Sequence, residues 1–191
     1  FTKLHFKFMN TIRYPATITK SYLFKLSLPI FFSNLAIPLT GLVDTWLMGH
    51  EGDIKFLAAT SVATSIITMI FWSFGFLRMG TVGLVSQSLG KGDYREIVYT
   101  VIRNLGIALF IGLLIIFSKH LIFLAIDRFF DLSNEVQDLA YKYISIRLLS
   151  APAELSLYVL VGLFLGLQMT KHSSFMISIF CFLNIILSIY F

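Results

Sequence analysis

Five apolar stretches, each about as long as a bilayer is thick, limit what this chain can fold into. They cover residues 26–48, 56–85, 98–117 and 141–167, and a fifth begins at 175 and is still apolar at Phe191. A helix crossing a hydrocarbon core of ~30 Å needs about 20 apolar residues. The connections between the stretches are short and polar: 50–55, 86–96, 119–138 and 168–174. Only the third is long, and its apolar residues Leu121, Ile126, Phe129 and Phe130 predict a segment lying along the membrane surface.

Composition agrees. Of the 191 residues 57% are hydrophobic and 13% charged, against about a quarter charged for a soluble domain. Too few charges remain to cover a core, which excludes a soluble enzyme, a disordered chain and a nucleic-acid module. The expected fold class is all-α integral membrane, with about five transmembrane helices. A single cysteine, Cys181, excludes a disulfide framework, and the four scattered histidines lack the spacing of a metal site.

Basic residues set the orientation. Residues 1–25 form a tail with Lys3, Lys7, Arg13, Lys20 and Lys25 and no acid. The second connection adds Lys91 and Arg95, with Arg103 beyond, and the fourth adds Lys171. The first and third carry Glu51, Asp53, Asp127, Asp131, Glu135 and Asp138. Lys and Arg mark the cytoplasmic side, so the N-terminus is expected in the cytoplasm. The tail has no uninterrupted apolar core before the first span and does not read as a signal peptide. The basic balance, a net charge of +5, is explained by this loop pattern without nucleic acid.

Polar groups inside apolar segments are the candidates for function, because a carboxylate at mid-membrane costs on the order of 3 kcal/mol. Asp44 lies about one turn from the outer end of the first segment, below Ser33, Ile37 and Thr40 on one helical face. Such a strip reads as a protein interior or a watery cavity, and the plainer alternative is a loop cap at the interface. Pro29 and Pro38 bend the same helix, either as a moving joint or as a static kink. Glu154 stands near the middle of the fourth segment, with Arg147 seven residues earlier on the same face as its candidate partner through water. Arg78 reads as a snorkelling or packed polar residue. The face Ser61, Ser65, Thr68, Trp72 and the pair Gly162 and Gly166 both read as helix-packing surfaces. The run from Gly90 to Asp93 is not a phosphate loop, since its glycine spacing and the residue after the lysine are wrong.

The motifs together carry a resemblance. Leu28-Pro29 is followed by Val43-Asp44-Thr45 and Gly49-His50, then by Leu77-Arg78-Met79-Gly80-Thr81 and Gly90-Lys91-Gly92-Asp93. Arg147-Leu148-Leu149-Ser150-Ala151-Pro152-Ala153 and Leu165-Gly166-Leu167-Gln168 come after them. From about Ser21 onward the chain resembles the multidrug and toxic compound extrusion (MATE) family, in its DinF-type branch. The resemblance implies two six-helix lobes with alternating access, and export of organic, often cationic, compounds driven by H⁺ or Na⁺ with no other cofactor. It places the first-helix acid on Asp44, the bending proline on Pro29 and a fifth-helix asparagine on Asn184. It matches Tyr143 to a cavity tyrosine, and Glu154 and Ser188 are added as cavity candidates. Ser188 stands where the family's fifth-helix aspartate belongs, so coupling would rest on Asp44 or borrow Glu154.

Measured against that architecture, residues 26–191 are expected to be most of an N-terminal lobe, truncated in helix five and fitting a bacterial cytoplasmic membrane. The expected partners are the lipid bilayer, small organic cations and a second lobe or second copy. The alternatives are a non-transporting remnant, or a half-transporter needing a partner, or a related lipid-linked flippase, for which only Arg78 and Arg147 are available. An enzyme is not expected: no second intramembrane aspartate accompanies Asp44, and the histidines sit in no nucleophile constellation.

Overall fold

A computed structural model describes residues 54–130 and 132–190, with nine isolated helical positions before them at 20, 21, 24, 27, 28, 31, 35, 43 and 46. The side chains of residues 54, 184 and 187–190 are not among those described. The described residues form helices without strands: α1 (Ile54–Ser73), α2 (Phe76–Gly90), α3 (Tyr94–Phe117), α4 (Lys119–Phe129), α5 (Asn134–Leu148), α6 (Ala151–Gly166) and α7 (Thr170–Tyr190).

These helices exceed the expected spans in number because two spans are each broken once and the short α4 lies between spans. α1 and α2 run on as one apolar rod, Lys55–Gly90, interrupted at Phe74 and Gly75. The break is a tight turn in which Phe74, Gly75, Leu77 and Arg78 each donate to the carbonyl three residues back, at 3.0–3.1 Å. A Cβ on Gly75 would stand 3.1 Å from the Trp72 carbonyl oxygen, so a side chain there would crowd the turn. α5 and α6 meet at a 50° bend. Pro152, in the first turn of α6, has no N–H for the Leu148 carbonyl, and its ring crowds that turn. Leu149 and Ser150 close the gap by donating to Ile146 and Arg147. α3 is a single 24-residue span. With the bent pair taken as one span, three membrane crossings are formed by helices of sufficient length and apolarity among the described residues. The expected first span lies outside them, and the fifth is helix α7.

The connections are shorter than the sequence predicts, since helices extend into them. Gly92 takes a left-handed φ of 72°, its N–H donates to Leu89 and that of Asp93 to Ser88. This is a Schellman stop for α2. Asp93 then caps α3 by accepting from the Glu96 N–H at 3.1 Å. The run once weighed as a phosphate loop is therefore a stop followed by a start. Gln168 ends α6 with the same pair of bonds, at φ 60°.

Packing orders the rods. α1 packs along α5, α2 along α6, and α3 returns against α2 and α6. The α1–α5 contact uses Ala59, Ala63, Ile67 and Phe71 against Ala140, Ile144 and Leu148, all buried. The predicted packing face of this segment is thus corrected: Ser61, Ser65, Thr68 and Trp72 are exposed. The Ser65 hydroxyl donates to the Ser61 carbonyl within its own helix at 2.8 Å, and needs no neighbour. α4, the segment expected at the membrane surface, is 11 residues long, about 16 Å and too short to cross. It leaves Leu121, Leu124 and Phe129 exposed. Phe123 stacks on Tyr141 of α5 at 4.1 Å, and Asp127 accepts from both Tyr141 and Gln137.

Candidate functional site

Close backbone approach builds the inner part of the helix bundle. A Cβ on Gly112 would stand 2.5 Å from Pro152 Cα, and one on Gly162 would stand 2.8 Å from the Arg78 carbonyl oxygen. On Gly166 it would stand 2.8 Å from Val85 Cβ. The predicted glycine pair therefore seats α6 on α2, and Gly112 adds α3 to the same contact. Thr81 is fully buried in the seam, donating to the Leu77 carbonyl at 2.6 Å and accepting from Asn104 of α3 at 2.9 Å.

Charge is held where the fourth span bends. Arg147, in the last turn of α5, places Nη1 3.6 Å from Glu154 Oε2 in the first turn of α6. The sequence reading had them on one face of a straight helix, bridged by water; the bend brings them into direct contact instead. Ser150 holds the joint, its hydroxyl donating to the Arg147 carbonyl at 2.7 Å and accepting from the guanidinium at 3.2 Å. The carboxylate is the more enclosed partner, with 26% of its side chain exposed against 45% for the arginine.

One turn further along α6, Tyr158 lies within electrostatic range of both Glu154 and Arg78. Arg78 belongs to the other rod, where its backbone meets Gly162. The Arg147–Glu154 pair thus sits at the bend with Tyr158 one turn away, and Arg78 of the other rod contributes to the same electrostatic surroundings. Tyr158 was not singled out in the sequence. Its spacing of four from Glu154 was the available signal, whereas Arg78 is brought in by inter-rod packing that no local pattern encodes.

The other predicted residues fall as follows. Asp44 and Pro29 lie outside the described residues. Asn184 and Ser188 lie on α7, one turn apart, with side chains that are not described. Tyr143 is partly buried on α5, packed against the hydrophobic core on a different helix from Glu154. No cluster of His, Cys, Asp and Glu able to hold a metal occurs among the described residues.

Comparison with known proteins places this arrangement. The sequence profile of the MatE family matches residues 29–190. DNA damage-inducible protein F of Escherichia coli K12 is 33% identical over 174 residues, covering 91% of this chain. An uncharacterized transporter of Bacillus subtilis, YisQ, is 32% identical over 106 residues, 56% of this chain and 23% of its own length. The chloroplastic protein DETOXIFICATION 47 of Arabidopsis thaliana is 34% identical over 128 residues, 66% of this chain and 22% of its own length. Among solved structures, a MOP superfamily transporter from Pyrococcus furiosus superposes with a TM-score of 0.77 at 21% identity. That superposition covers 85% of this chain and 36% of the transporter. The chain spans 38% of the length of the E. coli relative.

Proposed function

The chain belongs to the MatE family as a multi-pass helical membrane protein, and from that premise we propose that it is the N-terminal portion of an exporter of organic, often cationic, compounds in exchange for H⁺ or Na⁺. In this reading Asp44 is the coupling carboxylate, Asn184 its polar partner on α7, and Pro29 the joint that lets the first helix bend. Tyr143, Glu154 and Ser188 belong to the polar lining. In the same reading the membrane is the bacterial cytoplasmic membrane, and the basic loops support an N-terminus on the inner side.

The observation that carries the reading is the family match over residues 29–190, which takes in Asp44 and Asn184 alike. Its test is accumulation of ethidium in cells stripped of their own efflux pumps. The chain lowers accumulation, collapse of the ion gradients abolishes the effect, and Asp44→Asn does the same while the protein still reaches the membrane. Unchanged efflux by Asp44→Asn removes Asp44 from coupling.

A second reading is favoured by one feature of α1. Its Ser61, Ser65, Thr68 and Trp72 face the outside of the described bundle. A polar face of that length on an apolar helix suits a cavity shared with a second lobe or second copy, across which access alternates. In that case the chain transports only with its partner, and the size of the complex in detergent distinguishes the two readings. A flippase for lipid-linked substrates ranks below both, since of its two available arginines Arg147 is already paired with Glu154.

A further inference from the structure

The outward stripe of α3 carries two guanidiniums that no acid among the described residues neutralises. Arg95, Tyr99 and Arg103 follow one another at four-residue steps and are all exposed. They share one face, rising about 12 Å along the helix. The ion pairs among the described residues are Lys55–Glu135 and Arg147–Glu154, so neither arginine of α3 has an acidic partner there. Glu96, the one acid of this helix, makes no ion pair with them.

Depth makes Arg103 unusual. α3 has 24 residues, about 36 Å, and overhangs a ~30 Å hydrocarbon core by about 3 Å at each end when centred. Arg103 is the tenth residue, so its Cα lies about 10 Å below the boundary. A guanidinium there has to extend along its own helix towards the headgroups, which is where Tyr99 and Arg95 stand. Beyond Arg103 the stripe becomes apolar. Gly106 has open space where its Cβ would be, and Phe110, Leu113 and Phe117 follow, all exposed.

We propose that this stripe is a binding site for one anionic phospholipid, whose phosphate is held by Arg95 and Arg103 with the Tyr99 hydroxyl donating, and whose acyl chain descends beside the exposed Ile102 to Gly106 at mid-membrane. Charge complementarity selects the occupant. Two unpaired guanidiniums facing lipid match a headgroup with net negative charge, and a zwitterionic headgroup brings a cation that they repel. The depth of Arg103 below the hydrocarbon boundary, where a free ion would have to leave water, disfavours inorganic phosphate as the natural ligand.

The test is delipidation of the full chain in detergent, followed by titration with dioleoylphosphatidylglycerol or dioleoylphosphatidylcholine and counting of retained lipid by native mass spectrometry. The wild type retains phosphatidylglycerol preferentially, by about fivefold for each guanidinium, the effect of one basic side chain at an anionic membrane surface. Arg95→Gln with Arg103→Gln abolishes the preference, and Arg103→Lys keeps part of it. Lys171→Gln, a basic residue at the start of α7 and away from the stripe, leaves it intact. Equal retention of the two lipids by the wild type overturns the proposal. So does an undiminished preference in the double glutamine variant. If a second copy covers the stripe instead, the wild type runs as a dimer that the double variant dissociates without any change in lipid preference, which equally overturns it.

Discussion

Arg147 and Glu154 meet at 3.6 Å although seven residues separate them. On a straight helix their Cα atoms would stand about 10 Å apart along the axis. The 50° bend between α5 and α6 shortens that path, and the ion pair in turn spans the bend from one helix to the other. The pair and the joint are therefore one unit.

That unit predicts energetic coupling. Arg147→Ala and Glu154→Gln each lower the thermal stability of the detergent-solubilised chain, and their combination costs less than the sum. The interaction energy is about 1 kcal/mol, within the range for side chains in contact and limited by their partial exposure. Strict additivity in the double-mutant cycle would show that the pair does not hold the bend.

The inner seam predicts a sharp contrast between glycines. Gly112→Ala drives a Cβ into the backbone of Pro152 and costs about 1–3 kcal/mol, as overpacking does. Gly83→Ala, on α2 with nothing within 4 Å, gains helix propensity and is neutral or stabilising by up to about 1 kcal/mol. Melting temperatures of the two variants, moving in opposite directions, check the seam directly.

A single type of substitution at two buried threonines has opposite signs. Thr100 is buried with no hydrogen-bond partner for its hydroxyl, so Thr100→Val removes an unpaired polar group and stabilises by up to about 1 kcal/mol. Thr81 accepts from Asn104, so Thr81→Val strands the amide and costs about 1 kcal/mol. Finding both variants destabilised alike would mean that the Thr100 hydroxyl is paired in the membrane.

Gly92→Ala tests the stop between α2 and α3. The left-handed φ of 72° costs an alanine about 1–2 kcal/mol. The loss appears as earlier melting and faster amide exchange at the end of α2. Exchange at the distant α4 stays unchanged.

The spans were legible in the sequence because bilayer thickness acts on every residue of a stretch at once. Their breaks were legible only in part. Pro152 was an available signal for its bend, yet the fourth segment read as one straight helix, and the interruption at Phe74 and Gly75 rests on three-residue hydrogen bonds that leave no periodic trace. The wrong face of α1 has a physical cause: Ser61, Ser65 and Thr68 look like packing positions, yet the Ser65 hydroxyl is satisfied within its own helix, while Ala59 and Ala63 allow close approach by being small. Within the charged group, Arg147 and Glu154 were visible as partners. Tyr158 was within reach of the same reading, one turn from Glu154 on α6, whereas Arg78 joins them through α2–α6 packing, which depends on residues far apart in the chain.

The glycine seam also fixes the register between the rods. Gly162 faces Arg78 and Thr81, and Gly166 faces Val82 and Val85, so α6 runs parallel to α2 with matching four-residue steps. Sliding α6 by one turn, about 5.4 Å, would bring Tyr158 to the place where Gly162 now touches the Arg78 carbonyl. A phenol does not fit where a single Cβ is already too close. The seam therefore acts as a pawl, which blocks a one-turn slide of α6 in that direction.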